Sequence, residues 1–88
     1  MAWTIKYAKS VRKVVEKLDP QTRRRIRGYL ENRVAALDDP RELGKPLKGG
    51  LSQLWRYRVG DFRVICELHD DALVVLVIRI GHRRDVYS

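Results

Sequence analysis

The segment Arg56-Tyr57-Arg58-Val59-Gly60-Asp61-Phe62-Arg63 sets guanidinium groups at alternate positions around a Gly-Asp dipeptide. Such a dipeptide between alternating apolar residues reads as a two-residue hairpin loop. With that loop, Val59 faces Phe62, Arg58 faces Arg63, Tyr57 faces Val64, Arg56 faces Ile65 and Trp55 faces Cys66. Alternation then sorts the side chains onto two faces. One face receives Trp55, Tyr57, Val59, Phe62, Val64 and Cys66, a core face; the other receives Arg56, Arg58 and Arg63. Two arginines directly across a strand pair repel at a cost of up to about 1 kcal/mol. No acid between Glu42 and Asp61 offsets them. Guanidinium groups never deprotonate and bind phosphate oxygens in pairs, so the cluster suits a phosphate. The plain alternative is the solvated outer face of a basic protein.

A second set of groups follows the last apolar run. Gly81-His82-Arg83-Arg84-Asp85-Val86-Tyr87-Ser88 adds an imidazole, two cations and a phenol. In phosphate chemistry Arg83 would stabilise or protonate a leaving group, and Tyr87 would stack on a base or relay a proton. The competing reading is a frayed terminus. Lys45 and Lys48 precede the hairpin in a Gly/Pro-rich stretch. They stand where they would guide an RNA backbone to the site, and read equally well as ordinary loop lysines. Arg23, Arg24, Arg25 and Arg27 form a solvated helix face able to touch nucleic acid non-specifically. His69 reads as a turn residue. Cys66, on the core face, reads as packing and not as a nucleophile.

The elements that must position these groups follow from periodicity. Trp3 to Tyr7 alternates apolar and polar side chains and reads as a first strand. Val11, Val14, Val15 and Leu18 follow the i, i+3, i+4, i+7 spacing of one helix face. Asp19-Pro20 ends that helix and starts the next, with Asp as N-cap and Pro at the first helical position. The second helix is expected from Pro20 to about Leu37, with Thr22, Ile26, Tyr29, Leu30 and Leu37 on one face. Asp38-Asp39-Pro40 stops it, and the stretch to Gly50 is expected to be loop. Strands then cover Leu54–Val59, Phe62–His69 and Leu73–Ile80, the last two joined through Asp70-Asp71. The order β-α-α-β-β-β predicts an α+β domain, a two-helix hairpin on one face of a small antiparallel sheet.

Composition bounds the function. Nineteen Lys+Arg against eleven Asp+Glu give a net charge of +8 over 88 residues. With 44% hydrophobic residues, this basicity belongs to a folded domain covering 1–88 and not to a disordered tail. The single cysteine excludes an internal disulfide. The longest apolar run, Leu73–Ile78, is too short for a membrane span, and the N-terminus lacks signal-peptide architecture. HExxH, P-loop and GxSxG motifs are absent, as are metal-ligand spacings and paired carboxylates, so no metal or cofactor is expected. These features point to a soluble cytoplasmic domain with a polyanionic partner, nucleic acid ahead of an acidic protein.

Together the residues resemble the RelE/ParE superfamily of bacterial and archaeal toxins, and more closely its RelE-like branch. The resemblance spans essentially the whole chain. It rests on length, element order, the GKPLKG loop, the YRVGDFRVIC hairpin and the terminal IRIGHRRDVY. It implies the RelE-like, microbial ribonuclease-like fold and the toxin of a type II toxin–antitoxin system. Such toxins cut mRNA in the ribosomal A site and stop translation. The implied mechanism is metal-free in-line attack of a 2′-OH on the adjacent phosphate. By this resemblance the family's basic residues before the turn fall on Arg56 and Arg58, and its arginine after the turn falls on Arg63. Its arginine after the last strand falls on Arg83 and its C-terminal tyrosine on Tyr87. Lys45, Lys48 and His82 would contact substrate.

The best-known members carry lysines where Arg56 and Arg58 stand. Arginine is a poor general base, so that role passes to Tyr87 or His82. The sequence ends one residue after Tyr87, so no extended C-terminal helix is expected over the site. The implied partners are a RelB-like antitoxin with an acidic or amphipathic segment, and mRNA and rRNA on the ribosome. Two other classes compete: a ParE-like toxin that inhibits DNA gyrase by protein contacts, and a divergent member whose basic face only binds RNA or antitoxin. The convergent arginines favour the nuclease, since a gyrase binder needs no phosphate site.

Overall fold

Among the described residues the helical segments all precede Leu43 and the long strands of alternating side chains all lie from Leu54 onward. The computed structural model describes residues 3–47 and 54–82. Strand β1 (Thr4–Tyr7) leads into helices α1 (Lys9–Lys17) and α2 (Pro20–Tyr29). Strands β2 (Lys45–Pro46), β3 (Leu54–Val59), β4 (Phe62–His69) and β5 (Val74–His82) complete the fold. Among the described residues these form one five-stranded sheet in the order β1-β5-β4-β3-β2, with the helices on one face.

The junction between the helices is as the sequence predicts. Pro20 opens α2 and Asp19 caps it, accepting from the Thr22 N–H at 3.1 Å and from the Thr22 hydroxyl at 2.6 Å. The first satisfies an N-terminal backbone donor that the helix itself cannot, and the second holds the capping carboxylate in place. Val11, Ile26, Leu30 and Val34 from the helical layer meet Tyr57, Val59, Val64, Cys66, Leu68, Val75, Val77 and Ile80 from the sheet. Val15 and Leu18 flank this core, but Val14 is 38% exposed. At about 100° per residue, Val14 lies roughly 60° from Val11, on the flank opposite Arg12 and Val15. Those two face α2 across a small groove, so Val14 is turned away from it.

Four expectations change. The sheet is mixed, because β1 runs parallel to β5 while the other pairs are antiparallel. Alternation reports which face a side chain takes, not the direction of the neighbouring strand. The regular α-helix stops at Tyr29 and continues as a π turn over Leu30–Val34, closed by the Ala35 N–H on the Leu30 carbonyl at 2.8 Å. The wider turn keeps Leu30, Val34 and Ala35 all buried. The stretch after Asp39 is not all loop: Pro40–Glu42 is a 3-10 turn and Lys45–Pro46 adds a short edge strand. Finally, β5 starts at Val74, because Leu73 takes φ 53 to close the turn, and it runs on to His82.

Candidate functional site

The register between β3 and β4 pairs Arg58 with Arg63 and Arg56 with Ile65, as the Gly60-Asp61 loop requires. Gly60 has φ +61, a value an L side chain takes only with strain, and this lets the chain reverse in two residues. Tyr57, Val59, Val64 and Cys66 point into the core, so Arg56, Arg58 and Arg63 share the outer face.

The neighbouring strands extend this face into two rows. Lys45 on β2 pairs with Arg56, which pairs with Ile65, which pairs with Arg79 on β5. One step along, Arg58 pairs with Arg63, which pairs with Gly81. Directly facing residues have Cα atoms about 4.5–5.5 Å apart, so Arg58 and Arg63 are close neighbours on this face. Lys45, Arg58 and Arg79 are exposed, while Arg56 and Arg63 are half-buried. Ile65 is only 6% exposed although it lies on the outer face. Its pairing with Arg56 on one side and Arg79 on the other explains this, since arginine stems cover apolar neighbours. Gly81 adds no side chain beside Arg63. The nearest acid on this face, Glu67, is held by His69 at 2.7 Å.

The hairpin is fixed from behind. Tyr57 is fully buried and its hydroxyl donates to the Pro40 carbonyl at 2.9 Å. Gly44 makes room for that ring, since a Cβ there would sit 3.0 Å from it. The Trp3 indole donates to the Asp38 carbonyl at 3.2 Å. Arg41 binds both Asp70 oxygens at 3.0 and 2.7 Å and lies over the Trp55 ring at 5.7 Å. Strand β3 is thereby tied to the 38–43 segment and to the β4–β5 turn. Burial pushes the Tyr57 phenol and the Cys66 thiol far above their ordinary values. Neither ionises near neutral pH, so neither supplies a base or nucleophile.

Of the residues singled out from sequence, the structure brings Lys45, Arg56, Arg58 and Arg63 onto one face. His82 stands apart: it pairs with Phe62 on the opposite face, with the rings edge to face at 5.8 Å. His69 sits at the end of β4 with its Nε2 2.7 Å from Glu67 Oε1. Lys48, Arg83 and Tyr87 lie outside the described residues. Arg79 was missed. Strict alternation from Val75 and Val77 sends it to the core, where a cation has no place. That conflict was the available signal of an irregularity, and β4–β5 shifts register between Ile65 and Cys66. Ile65 pairs with Arg79 and Cys66 with Val77, so Ile78 is the extra residue of a bulge and Arg79 turns outward.

Positive charge gathered on one sheet face is the kind of arrangement that can hold a phosphodiester and stabilise charge that builds on it. The comparisons with known proteins agree in kind. The family model for the ParE toxin of type II toxin–antitoxin systems matches residues 5–87. The toxin RelG of Mycobacterium tuberculosis is 27% identical over 88 residues, 99% of this chain and 98% of the relative. In the RelBE2 toxin–antitoxin complex of Mycobacterium tuberculosis, a chain 23% identical superposes with a TM-score of 0.83, covering 94% of this chain and 93% of that one. The archaeal RelE–RelB complex of Pyrococcus horikoshii contains a chain 27% identical with a TM-score of 0.65, covering 94% and 97%.

Proposed function

Since the chain belongs to the ParE toxin family of type II toxin–antitoxin systems, within the RelE/ParE superfamily, we propose that it acts as a RelE-like endoribonuclease on ribosome-bound mRNA and is restrained by a RelB-like antitoxin. The observation that carries this reading is the pair of arginine rows on the outer sheet face. In the proposed reaction the 2′-OH attacks the adjacent phosphorus and the bond to the 5′ oxygen breaks. A 2′,3′-cyclic phosphate and a 5′-OH remain. Arg58 and Arg63 bind the non-bridging oxygens as the second negative charge develops, the largest contribution such a site makes. Arg56 and Lys45 hold the neighbouring backbone, with Lys48 as a further contact. Arg83 neutralises the charge on the leaving 5′ oxygen, which takes its proton from water. Tyr87, in its phenolate form, takes the 2′-OH proton in preference to His82, which lies against Phe62 on the other face.

A second reading has one observation in its favour: the matching family model is that of ParE, the branch read as gyrase inhibitors. The distinguishing experiment adds purified protein to translating ribosomes and maps mRNA ends by primer extension, with a gyrase supercoiling assay beside it. Wild type is expected to cut, and Arg63→Ala to cut about 10²–10³-fold more slowly, the loss typical of one removed transition-state donor. Arg83→Ala is expected to lose cleavage as well. Intact mRNA together with inhibited supercoiling would sink the nuclease reading.

A further inference from the structure

The arginines of α2 do more than face solvent. Helix α2 and its π turn pass beside the Gly60 turn, leaving an open groove of about 580 Å³. Arg24, Arg25 and Arg33 line it from the helical side, and Arg58 and Gly60 from the hairpin. Among the described residues no Asp or Glu lines it. Arg25 leans over the turn, so that a Cβ on Gly60 would lie 3.1 Å from its Nη1 atom. Arg33 sits over the Tyr29 ring at 6.0 Å. Cations from two separate elements therefore border one acid-free groove, an arrangement that repels itself until an anion enters. Arg58 is the joint: it lines the groove and also opens the second row of the sheet face.

We propose that this groove is a second RNA-binding surface, in which Arg24, Arg25 and Arg33 hold the sugar–phosphate backbone of an RNA segment distinct from the one on the sheet face. An acidic protein helix fits less well. The groove is open, and its one aliphatic side chain, Val59, is already spent in the core at 5% exposure. Four guanidinium groups border it, and their paired N–H donors match the oxygens of successive phosphates along one strand. The groove fixes the orientation of the protein on structured RNA while the sheet face addresses the phosphate to be cut. That division of labour rests on the nuclease reading; the binding itself does not.

The test uses the full chain, a fluorescent 2′-O-methyl RNA oligonucleotide that offers no attacking 2′-OH, and anisotropy titrations over a salt series. Arg24→Gln/Arg25→Gln/Arg33→Gln is expected to lower the slope of log K against log salt by about 2, near 0.7 per lost single-strand contact, and to weaken low-salt binding at least about tenfold. Thermal unfolding of the variant checks its fold. Amide shifts on adding the RNA to wild type give an independent reading: Gly28 and Gly60 should move, and Ala72, at the other end of β4, should not. An unchanged slope, or still amides at Gly28 and Gly60, overturns the proposal. Equal loss of binding to polyglutamate, with displacement of the RNA by it, assigns the groove to an acidic protein instead and also overturns it. Cleavage by wild type is scored separately with Arg63→Ala. A protein that binds through the groove but leaves mRNA intact keeps this inference and defeats the nuclease reading.

Discussion

Arg58 stands directly opposite Arg63, a like-charge pair that costs the folded hairpin up to about 1 kcal/mol. In the proposed site, stability and phosphate binding would pull in opposite directions at this residue. Arg58→Thr keeps a strand-forming side chain and removes the repulsion. It is expected to leave urea stability unchanged or raise it by about 0.2–1 kcal/mol, the size of a cross-strand pair term, while mRNA cleavage falls steeply. A destabilisation instead would make Arg58 a structural residue and remove its claim on the phosphate. The facing of these two arginines was legible in the sequence, because a two-residue loop fixes register and register fixes face. Arg79 was not, because its outward turn depends on the bulge at Ile78, and a bulge leaves no periodicity of its own. Nor was the separation of His82 from the arginines: it follows from the same extra residue, which resets the phase of β5 beyond Arg79.

Strand β3 carries two arginines of the site, and its rigidity depends on what lies behind it. The buried Tyr57 hydroxyl on the Pro40 carbonyl links the strand's core face to the 38–43 segment. Tyr57→Phe keeps the ring and its packing against Gly44 but removes the shorter of two hydrogen bonds to that carbonyl, which still accepts the Leu43 N–H at 3.4 Å. The expected cost is about 0.5–1.5 kcal/mol, read as a lower urea midpoint with an unchanged m-value. A neutral substitution would show that the tie does not hold the strand. At the scale of elements the helical pair, its Asp19-Pro20 junction and the three long strands could be read from apolar spacing and caps. The π turn after Tyr29 and the edge strand at Lys45–Pro46 could not. Both are set by tertiary demand, one by the burial of Leu30 and Val34 together, the other by the open edge of β3. The parallel β1–β5 pairing belongs with them, since the helices return the chain in a direction that no local pattern encodes.

Across the whole molecule the excess of +8 is a standing repulsion, and the described acids work against it locally. Arg41 draws the Asp70 carboxyl below its ordinary range by hydrogen bonding to it, and Thr22 does the same to Asp19. A carboxylate lowered in the folded state contributes stability above its unfolded pKa, about 3.9, and loses it as pH falls through the lower folded value. Acid therefore removes the Arg41–Asp70 link between the 38–43 segment and the β4–β5 turn while it raises the net positive charge. Thermal midpoints should fall as pH drops below about 4, and fall further at low salt, where repulsion is unscreened. Asp70→Asn separates the two effects. It is expected to melt below wild type near pH 6, with the gap closing toward pH 2 as the wild-type carboxyl protonates. A gap that stays constant would mean that Asp70 acts through shape and not charge. RNA should oppose the acid effect: an uncleavable strand that occupies the arginine surfaces binds only the folded chain, so at about 100 times its Kd it adds roughly 2.7 kcal/mol. The arginines that make the isolated domain self-repelling would then stabilise it once a polyanion is bound.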